Sequence, residues 1–416
     1  MHKIIINGGK KLNGEINISG AKNSAVALIP ASILCDEEVL ITNVPDISDV
    51  DALEEILIYL NAKIDRKNKN EVVISSEEVN NKPINDTMAK RLRASYYFMG
   101  ALLGKYKHVE MSFPGGCSIG KRPIDLHLKG FKALGADILG NDENIILDAK
   151  ELKGTTIDLD FASVGATINI MFAAVKAEGT TIINNAAKEP EIINVADFLN
   201  EMGAKITGAG TSKITIEGVD HLHSCKHYVI PDRIEAGTYI IIASACGEKV
   251  TIKNIIPEHI ASLLKKLKEM NVKIDVNENE VTVYESDNIK PVYIKTEVYP
   301  GFPTDLQQVL ASLLVKSYGK SIIEETIWEN RFLNLYELEK MGAKISVKDK
   351  IATIEGPTVL KNAEINATDL RAGAGLVVAA LETNGITIIN NADYILRGYE
   401  NIVEKLNNLG ADVKLQ

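Results

Sequence analysis

The segment Glu201-Met202-Gly203-Ala204-Lys205-Ile206-Thr207 is the strongest indication of the fold, because close copies of it recur along the whole chain. In each copy, a Gly or Asn follows the end of an apolar segment. A segment rich in residues that favour β-strands comes next. These glycines and asparagines are 68 to 74 residues apart, and they are Asn61, Gly135, Gly203, Asn271, Gly342 and Gly410. A sixfold repeat of this regularity indicates a chain built from one supersecondary unit.

Each repeat contains the same order of predicted elements. An apolar helix and a strand come first, and an amphipathic helix then ends at the glycine or asparagine, which suits a left-handed helix cap. A hairpin and a last strand lead into the next repeat. The predicted apolar helices include residues 24–33, 95–103, 168–176 and 306–316.

The two ends of the chain complete this pattern. The sixth repeat stops without its hairpin partner and last strand, whereas residues 1–21 contain two strands and no preceding helix. We therefore predict an α/β protein of two lobes, each made of three βαβαββ-like repeats. Residues 22–229 form one lobe, and residues 1–21 together with residues 230–416 form the other.

The composition is that of an acidic globular protein. Acidic residues outnumber basic ones by 56 to 46, and aromatic residues make up 5% of the 416 residues. Nucleic-acid-binding proteins are typically basic and often carry stacking aromatics, so we expect no nucleic acid partner. No apolar run approaches the roughly 20 residues that cross a bilayer, and the first residues lack the apolar core of a signal peptide. We therefore expect a cytoplasmic protein that does not interact with membranes.

One segment, residues 113–123, has the composition of a lid loop, with three glycines between two prolines. Cys117 lies at its centre near Lys121 and Arg122, and such cations lower the pKa of a thiol toward the reactive range. The alternative is an ordinary loop cysteine. The other cysteines form no CxxC pair, which is typical of a protein of the reducing cytosol, and they are Cys35, Cys225 and Cys246.

Charged residues cluster at the predicted starts of helices, where free N–H groups favour anions. The acidic ones are either simple helix caps or part of a binding site, and they are Asp49, Glu191 and Asp369. Cations at such positions oppose the helix dipole, and a bound anion would explain them. They are Lys22 (followed by Asn23), Arg93, Arg122 and Arg397.

A second group of residues has the ligand types of a zinc site. On a strand its members would alternate and share one face, and they are His221, His223, Cys225 and His227. Neighbouring positions on one strand cannot surround a tetrahedral ion, however. We therefore favour a solvated strand face and expect no metal.

The sequence contains a series of longer motifs in a fixed order. They are SGAKNSA around Lys22, PGGCSIGKRPIDLH around Cys117, SVGATIN, EPEI, PDRIEAGT, FPTDLQ, ENRF, DLRAG and RGYE. Together they resemble the UDP-N-acetylglucosamine 1-carboxyvinyltransferase family of enolpyruvyl transferases, from Ile6 to the C-terminus. The resemblance implies that each lobe is an inside-out α/β barrel and that the active site lies in the cleft between the lobes.

The resemblance also implies a reaction. The enolpyruvyl group of phosphoenolpyruvate is transferred to the 3-hydroxyl of UDP-N-acetylglucosamine, and phosphate is released by addition and elimination. This is the first committed step of peptidoglycan biosynthesis, and it serves cell-wall formation, cell shape and cell division. No metal or organic cofactor is implied.

Site residues follow from the same resemblance. Phosphoenolpyruvate binding is implied for Lys22, Arg122 and Arg397, with Asn23 beside them, and Arg371 matches a further arginine of the cleft. Asp305 suits the base, and Cys117 matches the proton donor that fosfomycin alkylates, acting either as the acid itself or in product release. Nucleotide-sugar contacts are implied for Arg93, Arg122, Pro123, Ile124, Asp125, Leu126, Ser163, Val164, Gly165, Asp305 and Ile327.

Two departures and two rivals remain. Phe161-Ala162 precede Ser163 where a more polar start is expected, and Trp328 replaces a phenylalanine; both leave the charges intact.

The related 5-enolpyruvylshikimate-3-phosphate synthase shares the fold and the donor but lacks the PGGC loop. A ring-shaped DNA clamp of six similar units would need a basic stripe in every repeat, and Lys22 has no counterpart in the third or fifth.

Overall fold

The computed structural model describes residues 2–115, 124–141 and 143–416. These divide into two compact units. The continuous unit comprises residues 20–115 and 124–230, and the split unit comprises residues 2–19 and 231–416. The repeat predicts boundaries after residues 21 and 229, and in the structure they lie after residues 19 and 230.

The strands in chain order are β1 Ile4–Gly8, β2 Leu12–Asn17, β3 Glu38–Thr42, β4 Lys63–Asn68, β5 Glu71–Ser75, β6 His108–Ser112, β7 Asp137–Gly140, β8 Asn144–Asp148, β9 Thr156–Asp158, β10 Thr180–Asn184, β11 Lys205–Thr207, β12 Lys213–Glu217, β13 Lys226–Tyr228, β14 Gly247–Lys253, β15 Lys273–Val276, β16 Glu280–Tyr284, β17 Tyr293–Lys295, β18 Gly319–Glu324, β19 Lys344–Lys348, β20 Ile351–Gly356, β21 Glu364–Asn366, β22 Gly385–Asn390 and β23 Val413–Leu415.

The α-helices are α1 Lys22–Ala31, α2 Ser48–Tyr59, α3 Asp86–Arg91, α4 Tyr97–Tyr106, α5 Asp125–Ala133, α6 Val164–Ala174, α7 Pro190–Glu201, α8 Arg233–Cys246, α9 Ala261–Glu269, α10 Thr304–Leu314, α11 Leu333–Lys340, α12 Leu370–Glu382, α13 Asp393–Leu396 and α14 Ile402–Asn408. Short 3₁₀ helices are Ser32–Leu34, Arg93–Tyr96 and Pro257–Ile260.

Each repeat forms its own small sheet, and most sheets borrow a parallel strand from another repeat. The described residues give six sheets, three in each unit. The last strand of one repeat joins the sheet of the next, as β9 does with β10, β17 with β18 and β21 with β22. In the sheet of the second repeat, the described residues have no such parallel strand, and an isolated parallel bridge between Ile84 and Met111 takes its position.

Within each unit the exchange of strands between repeats closes into a ring, because the last repeat also pairs with the first. In the continuous unit, β13 of the third repeat pairs with β3 of the first. In the split unit, β1 lies between β22 and β23 and supplies the missing hairpin strand of the sixth repeat, and β2 joins the fourth repeat beside β14. The N-terminal strands therefore complete the sixth repeat, as the sequence predicts.

Three apolar helices form the core of each unit. In the continuous unit α4 packs against both α1 and α6, and in the split unit α8, α10 and α12 pack against one another. All of them are buried along almost their whole length, as expected for helices that are apolar on all sides. The sheets cover these helices with their buried faces, so each unit is an inside-out α/β barrel.

The repeated glycine and asparagine positions have the predicted left-handed backbone. Their φ angles are 74° at Asn61, 102° at Gly135, 100° at Gly203, 66° at Asn271, 97° at Gly342 and 96° at Gly410. Each of these residues lies two positions after the last residue of a helix and turns the chain into the next strand. Among the described residues, none of the helices has the length and apolar character needed to span a membrane.

Candidate active site

In the split unit, Asp305 lies in the first turn of α10 and is held by two buried arginines. Arg331 Nη2 donates to Asp305 Oδ1 at 2.8 Å, and Arg371 Nε lies 3.4 Å from Oδ2. The arginine side chains are 2% and 4% exposed, whereas that of Asp305 is 30% exposed. The carboxylate is therefore held by two buried cations while part of its side chain stays exposed, which suits a group that must reach a ligand.

Arg331 is itself fixed by the helix that carries Asp305. Its Nε donates to Gln308 Oε1 at 2.9 Å, and Gln307 Nε2 donates to the Arg331 carbonyl at 3.0 Å. Gln308 Nε2 also donates to Asp369 Oδ2 at 3.2 Å. Arg331 lies in the ENRF motif, but the sequence analysis did not assign it to the site.

Arg371 opens α12 next to the cap of that helix. Asp369 Oδ1 accepts the backbone N–H groups of Arg371 at 2.9 Å and of Ala372 at 3.0 Å, so Asp369 is a helix cap. Burial lowers the pKa of Arg371, but Tyr399 and Asp305 outweigh it and raise that pKa, so the guanidinium stays charged. Its Nη1 is buried and meets no acceptor among the described residues.

A buried carboxylate, Glu325, connects the loop of Ile327 to α10. Glu325 is 1% exposed, and its Oε1 accepts the backbone N–H groups of Ile327 at 2.8 Å and Trp328 at 3.1 Å. Its Oε2 accepts the hydroxyl of Thr304 at 2.8 Å, and Thr304 directly precedes Asp305. One side chain thus positions two of the predicted site residues, Ile327 and Asp305.

Arg397 does not begin a helix, and the sequence prediction is wrong here. It directly follows the four-residue helix α13, and α14 begins only at Ile402. Asn401 interrupts helical backbone between them, since its φ is 49°. No helix dipole therefore opposes this cation, and the predicted place of Arg397 in the site rests on the RGYE motif.

In the continuous unit, Lys22 is the first residue of α1, as predicted, and it is paired with Asp49. Lys22 Nζ lies 2.6 Å from Asp49 Oδ2, and the two side chains are 13% and 5% exposed. The carboxylate offsets the unfavourable position of a cation at a helix start. Asn23 follows and is half-buried.

An aromatic group connects the starts of α4, α5 and α6 in the continuous unit. The guanidinium carbon of Arg93 is 5.8 Å from the ring centroid of Tyr96, and that ring meets His127 edge-on at 4.9 Å. A Cβ at Gly165 would lie 2.8 Å from Tyr96 Oη and 3.1 Å from His127 Cε1, so a larger residue there would displace at least one of these rings. The structure therefore brings Arg93 and Gly165 to the same group of side chains.

His127 is neutral in the folded protein. Asn169 Oδ1 accepts the Gly100 N–H at 2.9 Å, which turns Asn169 Nδ2 toward His127 Nδ1, also at 2.9 Å. Because the amide nitrogen can only donate, Nδ1 accepts and the proton lies on Nε2. Burial, with a smaller contribution from Arg93, lowers the pKa of His127 to about 3. His127 follows the predicted contact Leu126 in the sequence, and the sequence analysis missed it.

The other predicted contacts of this unit lie at the same helix starts. Ser163 caps α6, and its Oγ accepts a helix N–H group at 3.3 Å. Val164 then begins the helix and is half-buried. Before α5, Ile124 is buried; Asp125 begins the helix and is exposed, and Leu126 is buried.

The central part of the predicted lid lies outside the described residues. Cys117, Arg122 and Pro123 belong to it, so their roles stay predictions. Before it, the Gly115 N–H donates to the Ala89 carbonyl at 3.1 Å. A Cβ at Gly115 would lie 2.0 Å from the Lys90 carbonyl oxygen, so the entry to this segment requires glycine.

Comparison with known proteins gives consistent matches along the chain. The family model described as EPSP synthase (3-phosphoshikimate 1-carboxyvinyltransferase) matches residues 6–406. Two relatives bear the name UDP-N-acetylglucosamine 1-carboxyvinyltransferase 2. The protein from Bacillus anthracis is 51% identical, and the one from Listeria monocytogenes serovar 1/2a is 52% identical. Both matches span 99% of this chain, and they cover 96% and 97% of the relatives. The chain belongs to the UDP-N-acetylglucosamine 1-carboxyvinyltransferase family.

Solved structures agree with this family assignment. The enolpyruvyl transferase NikO from Streptomyces tendae superposes with a TM-score of 0.91 at 28% identity, over 100% of this chain and 99% of its own. An EPSP synthase from Acinetobacter baumannii gives a TM-score of 0.78 at 18% identity over 100% of both chains, a likeness of fold alone. The predicted enolpyruvyl transferase fold is confirmed.

The possible zinc-ligand group does not share a strand face, and its members are His221, His223, Cys225 and His227. Strand β13 begins only at Lys226, and His221 and His223 are exposed before it. The predicted solvated face is wrong for His227, which is 4% exposed and accepts from Asn194 Nδ2 at 2.8 Å.

Its other ring nitrogen, Nδ1, lies 2.8 Å from Glu201 Oε2, so His227 is a hydrogen-bonded core residue. The described residues contain no group of three or more His, Cys, Asp or Glu suited to a metal ion. Two surface depressions flank His227 and Tyr228, and neither is lined by a predicted site residue of this family.

Proposed function

We propose that this chain transfers the enolpyruvyl group of phosphoenolpyruvate to the 3-hydroxyl of UDP-N-acetylglucosamine and releases phosphate. The single observation that carries the proposal is the identity of about half of all residues, over nearly the full length, with relatives named for that activity. The charged residues of the motifs that resemble this family are also present in the chain. The reaction is the first committed step of peptidoglycan biosynthesis.

Several cations of the chain are proposed to bind phosphoenolpyruvate. This ligand carries about three negative charges and needs several fixed cations. Lys22, Arg122 and Arg397 fill that role in the proposal, with Asn23 beside Lys22. Arg371 adds a buried guanidinium whose Nη1 meets no acceptor among the described residues, and an anionic ligand would satisfy it.

The surroundings of Asp305 support its role as the base that takes the proton of the sugar hydroxyl. Two buried guanidinium groups fix the orientation of its carboxylate, and the 30% of the side chain that is exposed leaves room for a ligand. Such a positioned base typically contributes about 10²–10⁴-fold to a rate. The addition also needs a proton at C3 of phosphoenolpyruvate, and we assign that step, or a role in product release, to Cys117.

The nucleotide sugar is assigned mainly to residues at helix starts of the continuous unit. Arg93, Ser163 and Gly165 belong to this set, and the neutral His127 adds an Nε2–H donor near them. Arg122, Pro123, Ile124, Asp125, Leu126 and Val164 complete it, together with Asp305 and Ile327 of the split unit.

We further propose a cytoplasmic location and covalent inhibition by fosfomycin at Cys117. The described cysteines are free thiols, which is typical of proteins in a reducing compartment, and they are Cys35, Cys225 and Cys246. Fosfomycin is an epoxide, and the nucleophile that opens such a ring would be the thiolate of Cys117, whose formation the cations Lys121 and Arg122, close to it in the sequence, favour.

Phosphate release tests the function and separates it from that of the rival family member. The protein is mixed with phosphoenolpyruvate alone, with added UDP-N-acetylglucosamine, or with added shikimate 3-phosphate. We expect release only with the nucleotide sugar. Release with shikimate 3-phosphate instead would assign the chain the 3-phosphoshikimate 1-carboxyvinyltransferase activity for which the matching family model is named.

A further inference from the structure

Tyr399 connects three parts of the split unit around Arg371. Its ring is 1% exposed and lies with its centroid 5.5 Å from the guanidinium carbon of Arg371. Its hydroxyl lies 2.8 Å from Thr238 Oγ1, in the second turn of α8. Tyr399 is also two residues from Arg397, so it connects α8 and α12 with the segment that carries a proposed ligand of phosphoenolpyruvate.

The direction of the hydrogen bonds around Tyr399 is determined. Thr238 Oγ1 donates its single hydrogen to the Ile234 carbonyl at 2.8 Å, so it can only accept from Tyr399. The phenol therefore donates to Thr238 and keeps its oxygen lone pairs for the neighbouring guanidinium. Burial raises the pKa of Tyr399, so the phenol carries the hydrogen that this arrangement requires.

Arg371 needs this second support, whereas Arg331 does not. Arg331 is held by Gln308 at 2.9 Å and by Asp305 at 2.8 Å, both normal hydrogen-bond distances. The contact of Arg371 Nε with Asp305 is 3.4 Å, beyond the usual range for a strong bond. Asp305 alone therefore does not fix the orientation of the Arg371 guanidinium.

We propose that Tyr399 is a positioning residue that holds the Arg371 guanidinium against Asp305 for the transfer reaction, through its hydroxyl bonded to Thr238. The proposal rests on the proposed function, since it assumes that Asp305 and Arg371 serve that reaction. Tyr399 contacts no ligand in this account. It acts through Arg371 alone.

The test uses the full-length protein and variants that change single hydroxyl groups. Tyr399→Phe and Thr238→Val remove the two partners of one hydrogen bond, and the double variant removes both. Tyr239→Phe is the matched control, because Tyr239 is 1% exposed in the same core and its hydroxyl has no partner among the described residues. Steady-state kinetics and melting temperatures are measured for all of them.

We expect kcat/KM for phosphoenolpyruvate to fall about tenfold in Tyr399→Phe, with the KM for UDP-N-acetylglucosamine within about twofold of the parent. Thr238→Val should give the same fall and the double variant no further one, since both remove the same interaction. Tyr239→Phe should match the parent. A loss in the control equal to that in Tyr399→Phe, or parent kinetics in Tyr399→Phe, would overturn the proposal.

Crystal structures of Tyr399→Phe and Tyr239→Phe give a readout that does not depend on activity. We expect Arg371 to move away from Asp305 in the first variant and to keep its place in the second. If the parent protein turns over no substrate, the proposed function fails while this structural comparison still decides the role of Tyr399. An unmoved Arg371 in Tyr399→Phe would refute it.

Discussion

His127 makes stability depend on pH in a defined direction. Its folded-state pKa of about 3 lies below the ordinary value of 6.5, so below pH 6.5 the unfolded chain binds a proton that the folded one does not. Its contribution to stability is complete above pH 6.5 and is lost as the pH falls toward 3. Between pH 6.5 and 5 we expect a loss of about 2 kcal/mol from this residue.

Urea unfolding at pH 6.5 and pH 5 measures this loss. His127→Gln keeps an acceptor for Asn169 but has no group that titrates in this range, so it should lose about 2 kcal/mol less than the parent over the same interval. Equal losses in the two proteins would show that His127 is protonated in the folded state.

Lys22 has two roles that a paired variant separates. Lys22→Ala should cost about 10²–10³-fold in kcat, because it removes a cation proposed to bind the reacting phosphate. It also leaves Asp49 buried without the ammonium it contacts at 2.6 Å, which should lower stability by about 3–5 kcal/mol.

Lys22→Ala combined with Asp49→Asn should recover most of that stability and none of the activity, as measured by chemical unfolding and steady-state kinetics. Lys22→Arg should also stay impaired, since a planar fork does not replace a compact charge. Recovery of activity in the paired variant would show that Lys22 is only a structural partner of Asp49.

Cys117 is the residue at which covalent inhibition is expected. Fosfomycin should add one inhibitor mass to the protein, on Cys117 alone, and faster with UDP-N-acetylglucosamine present. Peptide mass spectrometry locates the adduct. Burial raises the pKa of Cys225 and of Cys246 to about 12, which makes both poor nucleophiles and good internal controls. An adduct on either of them would contradict the assignment.

At the scale of elements, the N-terminal strand β1 is a structural part of the split unit. It pairs with β22 on one side and β23 on the other, and Ile6 is fully buried whereas Ile5 is half-buried. Ile6→Ala should lower the free energy of unfolding by about 2–5 kcal/mol. Ile5→Ala should cost clearly less, and equal costs would mean that this strand does not cover the core as described.

The repeat predicted helix ends correctly where the local backbone conformation restricts which residue can occupy the position. The left-handed positions such as Gly203 and Asn271 were predictable because few other residues adopt that conformation after a helix. Arg397 was misplaced because Asn401, also left-handed, ends the helical backbone that the repeat pattern requires. His227 was misplaced because its partners Asn194 and Glu201 lie on α7, far away in sequence.

For the whole molecule, the sixfold repeat and the motif order were sufficient to predict the fold and the family. The pairing of Asp305 with Arg331 was not predictable, because it joins residues 26 positions apart, one in the first turn of α10 and the other in the loop before α11. The same holds for the contact of Gly165 with Tyr96 and His127, which depends on three separate elements. Composition and spacing contain no information on such contacts.

The chemical structure of the product is the strongest test of whether this protein transfers an enolpyruvyl group. The full-length protein is incubated with phosphoenolpyruvate labelled with ¹³C and with UDP-N-acetylglucosamine, and the product is analysed by NMR. The account predicts an enolpyruvyl ether on the 3-oxygen of the sugar and one phosphate released for each ether formed. Labelled pyruvate and phosphate beside unchanged UDP-N-acetylglucosamine would contradict it, because the protein would then hydrolyse the donor without transferring it.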